Sequence, residues 1–460
     1  MNSSTSRNPN QHESVSRKIA FSTLMAVEKG TFAETAIDRE LSRSNVSGKD
    51  RALITELVYG VTRNKSHLDQ IISLFLNNPQ KKISPTLRLI LRMGIYQLLY
   101  LDRIPLRAAV NESNLQAKRM LNASMAGLVN GLLRKVSQTR ETLLAEPEDN
   151  LNQLSNYFSH PEWLVKRWVD DFGVEETKNI LRFNNSRSRL LLKVNTARIS
   201  LPDFLTLLER QNISWTKDYP DWDSVELAGF GQPVSSIDGF RKGLFLVQDF
   251  ASQLIPGLLK ADNCQRVLDS CAAPGNKTFH LASRIDSGGE IIACDISPQR
   301  LAQTRQNLDR LGAQNVRTIC GDCSDESFNL NLGSFDRILV DAPCSNLGVL
   351  RHNPEVKYSI DQHDLKEHSA KQYRLLQAVS HLLRADGIIL YSVCSNSTEE
   401  TLDVANSFIS NNPDFVIDPI EPPSVNSPVH IDQKGFLSTF PPSPDFPMDG
   451  FFAARFRKVK

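Results

Sequence analysis

Apolar residues recur every three to four positions through the first third of the chain. Two such series occupy residues 54–61 and 68–75, with the i, i+3, i+4, i+7 spacing of one helix face. Residues 87–101, LRLILRMGIYQLLYL, are apolar nearly all round, which indicates a central buried helix. We therefore predict an all-α helical bundle over residues 1–142, with residues 1–15 as a disordered polar tail.

The next hundred residues mix two periodicities. Helical PEWLVKRWVDDFG and LPDFLTLLERQ lie on either side of strand-like SRLLLKVNT, and short strand-like pieces continue to KGLFLVQDFASQ. This mixture predicts a small α+β connecting domain over residues 143–240.

From residue 264 onward, strands alternate with helices. RVLDS, GEIIACD, NVRTICGD, FDRILVDAP and GIILYSVCS are strand-like, and helical stretches of 10–20 residues separate most of them, one of them over residues 365–384. Such alternation is typical of a parallel α/β sheet, in which ligands bind at the carboxyl ends of the strands. We predict an α/β domain over residues 241–460, with an irregular Pro-rich insertion at 412–448 and a last strand in GFFAARFRKV.

Size and cysteine usage narrow the class of protein. The chain has 460 residues, enough for two or three domains, and it contains no apolar run of transmembrane length. Its polar start does not resemble a secretory signal. The seven cysteines all lie after residue 263 and are odd in number, which does not suggest a disulfide framework. We therefore expect a cytoplasmic protein with no membrane partner, and we expect a monomer.

The charge is uneven along the chain. Residues 1–140 contain 21 Lys and Arg against 10 Asp and Glu, a local net charge of +11 in a chain whose overall net charge is +1. A basic first third favours a polyanionic partner, RNA or DNA. A solvated surface of charged helices remains an alternative explanation.

The first strand of the α/β part ends in a turn of small residues. DSCAAPGNKT, residues 269–278, lets a ligand approach the backbone and leads into a helix N-terminus, which favours a polar or anionic group. The segment is neither G-x-G-x-x-G nor a P-loop, so a dinucleotide site is not indicated. We predict a cofactor loop here.

Acidic residues end the next two strands. Asp295 is placed to bind a ribose diol, and Asp322 in CGDC is placed to accept from an adenine amino group. Either residue alone could be a helix cap or a turn residue. Together they indicate a nucleoside without a pyrophosphate, and S-adenosyl-L-methionine fits that description.

The same CGDC is also a C-x-x-C, formed by Cys320 and Cys323. This spacing suits a zinc half-site or a redox pair. Because the chain has no second C-x-x-C, we predict no metal.

Two cysteines follow the last two parallel strands. Cys344 lies in DAPCS and Cys394 in YSVCSNSTEE. One buried cysteine is usually a small apolar residue, but two at the ligand-binding edge of a sheet suggest chemistry.

These motifs, in this order, carry a family resemblance. DSCAAPGNKT, ACDISPQRL, FDRILVDAPCSNLGVLRHNPEVK, ILYSVCSNSTEE and DGFFAARF resemble the Sun group of RNA 5-methylcytosine methyltransferases. LVNGLLRKV in the helical part is similar to NusB-like RNA-binding domains. The resemblance implies a NusB-like bundle, an α+β connector and a Rossmann-like class I methyltransferase domain.

The resemblance also implies roles for individual residues. Cys394 would be the nucleophile that attacks cytosine C6, Cys344 would assist release of the product, and Asp341 would lie beside the methionine end of the cofactor and the target base. Asp295 would bind the ribose and Asp322 the adenine. The cofactor loop would consist of Cys271, Ala272, Ala273, Pro274, Gly275, Asn276 and Lys277.

The implied substrate is a cytosine of 16S rRNA, at position 967, in a hairpin loop from which the base can leave its stack. Four residues depart from the family pattern: Asn276 and Asp386 replace glycines, Val393 replaces Thr and Tyr358 replaces Trp. None of the four removes a group that the chemistry requires.

Two alternatives remain. An amino-group methyltransferase usually carries Asn/Asp-Pro-Pro-Tyr/Phe after the fourth strand, and DAPCS lacks the second proline and the aromatic residue. An RNA-binding antitermination module with an inactive catalytic domain would lack the nucleophile or a cofactor aspartate, and this chain has them.

Overall fold

The chain forms two compact units. Met1–Ser186 with Asn353–Tyr358 make up the first, which we call the helical unit, and Arg187–His352 with Ser359–Lys460 make up the second, the sheet unit. The computed structural model describes residues 14–76, 78, 82–217, 222–262, 264–285, 288–422, 428–443 and 448–460. The predicted tail at residues 1–15 lies almost wholly outside these ranges.

Helices build the helical unit, as the periodicity predicts. Its bundle extends to Asn185, and Gly173 (φ 79°) kinks the last helix. The helices are α1 Val15–Val27, α2 Ala33–Ser42, α3 Gly48–Arg63, α4 Lys65–Phe75, α5 Pro85–Tyr100, α6 Leu106–Met120, α7 Ala123–Gln138, α8 Arg140–Leu144, α9 Leu151–Tyr157 and α10 Glu162–Asn185.

The predicted central helix is α5. Ser84 caps it by accepting from the Leu87 N–H at 3.2 Å, and Pro85 occupies the first turn, where no N–H is needed. Nearly every side chain from Leu87 to Leu99 is buried. Arg92 is buried with them, and its guanidinium is paired with Asp69 at 2.7 Å and Glu28 at 2.9 Å. These partners offset the cost of burying its charge.

The segment Asn353–Tyr358 completes the helical unit. The Lys357 ammonium is fully buried and donates to the Arg63 carbonyl at 2.9 Å, and the Tyr358 hydroxyl donates to the Ser159 carbonyl at 3.1 Å. Burial, helped by the charge of Arg63, lowers the pKa of Lys357 well below its usual range. The residues that follow Cys344 in sequence thus supply part of the helical core.

The sheet unit begins with a small antiparallel sheet. Its strand order is β2-β3-β1-β4, and one amphipathic helix packs its buried face into the same apolar cluster. The elements are β1 Leu190–Val194, α11 Leu201–Arg210, β2 Trp215–Thr216, β3 Ser224–Leu227 and β4 Phe245–Val247.

The large sheet carries the predicted site. In the described residues it has nine strands, ordered β11-β12-β13-β9-β8-β5-β6-β7, with β10 paired to β13. Strands β9, β8, β5, β6 and β7 are parallel to one another. Strands β13, β12, β11 and β10 pair with their neighbours in antiparallel fashion. The elements are α12 Phe250–Leu258, β5 Arg266–Asp269, α13 Asn276–Ala282, β6 Glu290–Asp295, α14 Pro298–Leu311, β7 Val316–Cys320, α15 Glu326–Asn329, β8 Phe335–Asp341, α16 Gln362–Ser380, β9 Leu383–Val393, α17 Leu402–Asn411, β10 Phe415–Ile417, β11 His430–Ile431, β12 Leu437–Ser438 and β13 Phe452–Lys458.

The predicted fold class is confirmed: a helical bundle, a small α+β part and an α/β sheet. Two details are wrong. The helix predicted over 365–384 ends at Ser380, because Leu383 already pairs with Phe335 and the strand passes an irregularity near Asp386 (φ 59°). The insertion at 412–448 contributes three short strands, because backbone pairing to β13 and β12 orders segments that lack a strand pattern of their own.

No helix within the described ranges combines the length and apolar character that a membrane crossing requires.

The approach of α3 to α5 yields a prediction. A Cβ added at Gly60 would lie 1.9 Å from the Tyr96 ring, which is buried and stacked on Tyr100. We expect Gly60→Ala to destabilise the helical unit by about 1–3 kcal/mol in urea-induced unfolding. Gly127→Ala, in α7 with open space around the new methyl, is the control and should be neutral or gain up to about 1 kcal/mol. Equal effects of the two changes would contradict the packing argument.

Candidate active site

The loop between β5 and α13 is a tight turn that lies close to the neighbouring strand β6. Gly275 has φ +100°, a left-handed conformation that strains other residues, and its N–H donates to the Ala272 carbonyl at 2.7 Å. Ala272 donates to the Cys294 carbonyl at 2.8 Å, which joins the loop to β6. Asn276 is the first helical residue, so its departure from glycine places no strain on the turn; its side chain donates to the Val247 carbonyl at 3.0 Å.

The carboxylates predicted to bind the nucleoside lie at the ends of neighbouring strands. Asp295 is almost fully buried, and its two oxygens accept from the Ala273 and Ser297 N–H groups at 3.3 and 2.9 Å. Asp322 is exposed, and one of its oxygens accepts from Ser324. Asp295 pairs with Cys320 across the two strands, two residues before Asp322. Carboxylate oxygens accept more than one hydrogen bond, so this pair of acceptors fits the ribose hydroxyls and the adenine amino group.

Asp269, at the end of β5, is a residue that the sequence reasoning left without a role. It is fully buried; Thr278 donates to its Oδ2 at 2.7 Å, and no described group bonds its Oδ1. Burial outweighs the Thr278 hydrogen bond and, with the nearby charge of Asp341, raises the pKa of Asp269 to about 7. Its position at a strand end is the signal that could have identified it.

Asp341 ends β8 and is held from two sides. Its Oδ2 is 2.6 Å from the Lys277 ammonium, and its Oδ1 accepts from the Ser392 hydroxyl of β9 at 2.8 Å. Burial opposes the charge on Lys277, but the nearby anionic groups, with Asp341 foremost, together outweigh burial and raise the pKa of Lys277. The ion pair therefore links the cofactor loop to the strand that leads to Cys344.

The structure brings Cys344 and Cys394 together. Strands β8 and β9 are parallel neighbours, with Asp341 paired to Ser392, so the loops after them leave the sheet side by side. The two Sγ atoms are 3.2 Å apart, and both side chains are partly exposed. The contact with Cys394, reinforced by burial, raises the pKa of the Cys344 thiol well above its usual range. This shift favours the protonated form of the Cys344 thiol beside the second sulfur.

A buried carboxylate organises both cysteine loops. Glu400, which is fully buried, accepts from the Ser345 N–H at 2.8 Å, the Ser397 hydroxyl at 3.2 Å and the Gln372 amide at 2.9 Å, and also from the hydroxyls of Ser345 and Ser395. Ser345 and Ser395 each follow one of the two cysteines. Glu400 lies in SNSTEE directly after the strand, but no pattern in the sequence distinguishes it from the other polar residues there.

Backbone hydrogen bonds join the two cysteine loops to each other and to the segment just before the last strand, β13. Gly348 donates to the Cys394 carbonyl at 3.0 Å, and Gly450 donates to the Gly348 carbonyl at 2.8 Å. A Cβ at Gly348 would lie 1.9 Å from the Gly450 oxygen, so only glycine allows this approach.

The C-x-x-C cysteines face different surroundings. Cys320 is exposed and Cys323 is buried against Cys294. Among the described residues, the cluster with metal-ligating groups is Asp249, His352 and Asp449. The Arg351 guanidinium lies 3.2 Å from Asp449 and 3.6 Å from Asp249, so a cation already neutralises these carboxylates.

Three family models match the chain, each on one part of the fold. Residues 14–138 match the NusB family, residues 160–232 match the ferredoxin-like domain of RsmF/B-like methyltransferases, and residues 256–457 match the 16S rRNA methyltransferase RsmB/F. Together with the sheet and the strand-end carboxylates, these matches define a methyltransferase with a NusB domain.

Relatives match nearly the whole chain. A probable ribosomal RNA small subunit methyltransferase B of Bacillus subtilis is 32% identical over 96% of this chain and 98% of its own. The ribosomal RNA small subunit methyltransferase B of Klebsiella pneumoniae is 34% identical over 86% of this chain and 90% of its own. The solved structure of PH0851, at 21% identity, covers 98% of this chain and 99% of its own with a TM-score of 0.78, and so supports the fold.

The chain belongs to the family of ribosomal RNA small subunit methyltransferases B. The predicted family and the predicted enzyme class, a methyltransferase, are confirmed.

The Glu400 network yields a prediction. Glu400→Ala should remove the acceptor of several buried donors and cost the sheet unit about 3–5 kcal/mol in urea-induced unfolding. Asp403→Ala changes a nearby exposed carboxylate and should stay within about 0.5 kcal/mol of the unaltered chain. If Glu400→Ala unfolds at the same urea concentration as Asp403→Ala, the carboxylate does not organise the loops.

Proposed function

We propose that the protein methylates C5 of a cytosine in 16S rRNA, with S-adenosyl-L-methionine as methyl donor and Cys394 as covalent nucleophile. The observation that carries this proposal is the pair of thiols 3.2 Å apart at the carboxyl edge of the sheet, beside Asp341. A methyl transfer to nitrogen or oxygen has no need of a sulfur nucleophile, whereas transfer to cytosine C5 does.

The need arises from the weak nucleophilicity of C5. The Cys394 thiolate adds to C6, the C5=C6 double bond opens, and its electron pair makes C5 enamine-like and able to attack a methyl group. S-adenosyl-L-methionine supplies an electrophilic methyl group when bound. A base then removes the C5 proton, the double bond re-forms, and Cys394 leaves as thiolate.

Asp341 and Lys277 suit the polar edge of the base. The Asp341 carboxylate, which Lys277 and Ser392 orient, can accept from the cytosine amino group. The Lys277 ammonium balances the charge of the carboxylate, and this balance favours a polar, uncharged ring beside the two thiols.

Cys344 suits the second half of the reaction. Its raised pKa keeps it protonated, so it can hydrogen-bond to the Cys394 sulfur as that sulfur becomes a leaving thiolate. A thiol that stays protonated cannot itself attack C6, whereas it can stabilise a leaving thiolate. This difference supports assigning attack to Cys394 and release to Cys344.

The hydrogen-bond acceptors at the other strand ends suit the cofactor. Asp295 would bind the ribose hydroxyls, Asp322 the adenine amino group, and the loop Cys271–Lys277 would approach the methionine part. Asp269, whose buried Oδ1 has no partner among the described residues, would lie close to the same loop and accept from a polar group there.

Cys394→Ala and Cys344→Ala test the division of labour. With 16S rRNA and labelled S-adenosyl-L-methionine, we expect Cys394→Ala to give no methylation and no covalent adduct, because the attacking sulfur is gone. Cys344→Ala should accumulate an RNA–protein adduct that survives denaturing electrophoresis, because release is impaired. Bisulfite sequencing should place the product of the unaltered enzyme at position 967.

Cys320→Ala, an exposed cysteine outside the loops, is the control and should methylate normally. Methylation by Cys394→Ala would overturn the nucleophile assignment. An adduct formed by Cys394→Ala but absent from Cys344→Ala would reverse the two roles.

The basic helical unit would bind rRNA phosphates. Its local charge of +11 over residues 1–140 supports this, and Lys118 and Lys135 are exposed there. We expect the affinity for an rRNA hairpin to fall steeply as the salt concentration rises. Lys118→Ala and Lys135→Ala should each remove one phosphate contact and so reduce the slope of log K against log salt concentration by about 1. Lys366→Ala, outside this unit, should leave the slope unchanged. A salt-independent affinity of the unaltered protein would contradict the proposal.

A further inference from the structure

Asn346 lies two residues after Cys344 in a left-handed conformation, with φ 61° and ψ 22°. Asparagine tolerates this conformation better than most residues other than glycine. In this position its side-chain Oδ1 lies 3.0 Å from the Cys394 Sγ and 3.9 Å from the Cys344 Sγ. One amide therefore contacts both sulfur atoms of the site.

The turn that carries Asn346 is held firmly. The Leu347 N–H donates to the Ser345 hydroxyl at 3.4 Å, and the Gly348 N–H donates to the carbonyl of Cys394 itself at 3.0 Å. Ser345 is also bound to the buried Glu400. These contacts on either side of Asn346 hold its side-chain amide against the Cys394 sulfur.

An amide suits a sulfur that must change its protonation state. Its oxygen accepts from a thiol, and its nitrogen can donate to a thiolate. A half-turn about the Cβ–Cγ bond exchanges the two atoms at nearly the same place, so either form of Cys394 can find a partner. When Cys394 loses its proton to water, the only bond that breaks is S–H, and the Asn346 nitrogen can donate to the new thiolate.

We propose that Asn346 is a further catalytic residue, which holds the Cys394 sulfur in place and donates to its thiolate during attack. Its part in methylation rests on the function proposed above, whereas its contact with the sulfur does not. A carboxylate at this position would accept from the thiol equally well but would repel the thiolate.

Other groups also act on this sulfur. The Cys344 thiol lies 3.2 Å away, and the Lys277 ammonium, paired with Asp341, interacts electrostatically with Cys394. Glu400 acts electrostatically on Cys344 from the buried side. These groups are the same in each variant below, so differences among the variants report on the amide.

The test measures alkylation of Cys394 by iodoacetamide against pH, in the full-length protein, by mass spectrometry of the Cys394 peptide. Asn346→Asp should move the midpoint of the plot of alkylation rate against pH upward by about one pH unit. Alkylation near neutral pH should then be about tenfold slower. Asn346→Gly keeps the left-handed backbone without the amide and should give a smaller upward shift.

Asn396→Asp is the matched control, because it adds the same charge two residues after Cys394 on a side chain without a hydrogen bond to either sulfur in the described structure. Thermal unfolding of each variant verifies folding. An equal shift in Asn396→Asp and Asn346→Asp would overturn the proposal, because the effect would then be long-range charge rather than contact.

Methylation kinetics provide the second readout. Asn346→Gly should lower kcat about tenfold, the loss of one charge-assisted hydrogen bond, with KM for RNA unchanged. Unaltered alkylation and unaltered kcat in Asn346→Gly would refute the role of Asn346. Failure of the proposed function itself would appear elsewhere, as methylation by Cys394→Ala, and the alkylation profiles would still report on the amide.

Discussion

The buried carboxylate of Glu400 is the constraint on which the site depends. It accepts from Ser345 and Ser395, the residues that follow the two cysteines, and from Gln372 of α16. A buried charge is costly unless it is fully hydrogen-bonded, so the loops have little freedom to move away from it. The distance between the two sulfur atoms is therefore a property of this network as much as of the cysteines.

Parallel strands make the network possible. Since β8 and β9 run side by side, Asp341 and Ser392 lie opposite each other and both following loops begin at one edge. The antiparallel strand β13 on the other side of β9 brings Gly450 against Gly348. The sulfurs of Cys344 and Cys394 thus lie among three segments that are distant in sequence, because the ends of neighbouring strands bring their loops to one edge of the sheet.

The electrostatics of the site follow from burial and from the charged and polar groups nearby. Asp269 is pushed toward protonation, Lys277 toward its charged form and Cys344 toward the thiol, each because of what surrounds it. In the mechanism proposed above, one of the two sulfurs therefore acts as nucleophile and the other carries a proton beside it. The partners of the two sulfurs differ, and the amide oxygen of Asn346 lies 3.0 Å from the Cys394 Sγ.

The sequence by itself determined the helical bundle, the succession of parallel strands along the chain and the residues at the ends of those strands. Periodicity and strand-end position are local properties of the chain. It predicted Cys344, Cys394, Asp341, Asp295 and Asp322 as neighbours along one edge. Only the tertiary structure decided that Glu400 and Asn346 belong with them, and that residues 353–358 complete the helical core. The hydrogen bonds of Glu400 to Ser345 and of Asn346 to Cys394 join residues 55 and 48 positions apart. Such bonds leave no periodic trace in the sequence, so they are visible only after folding.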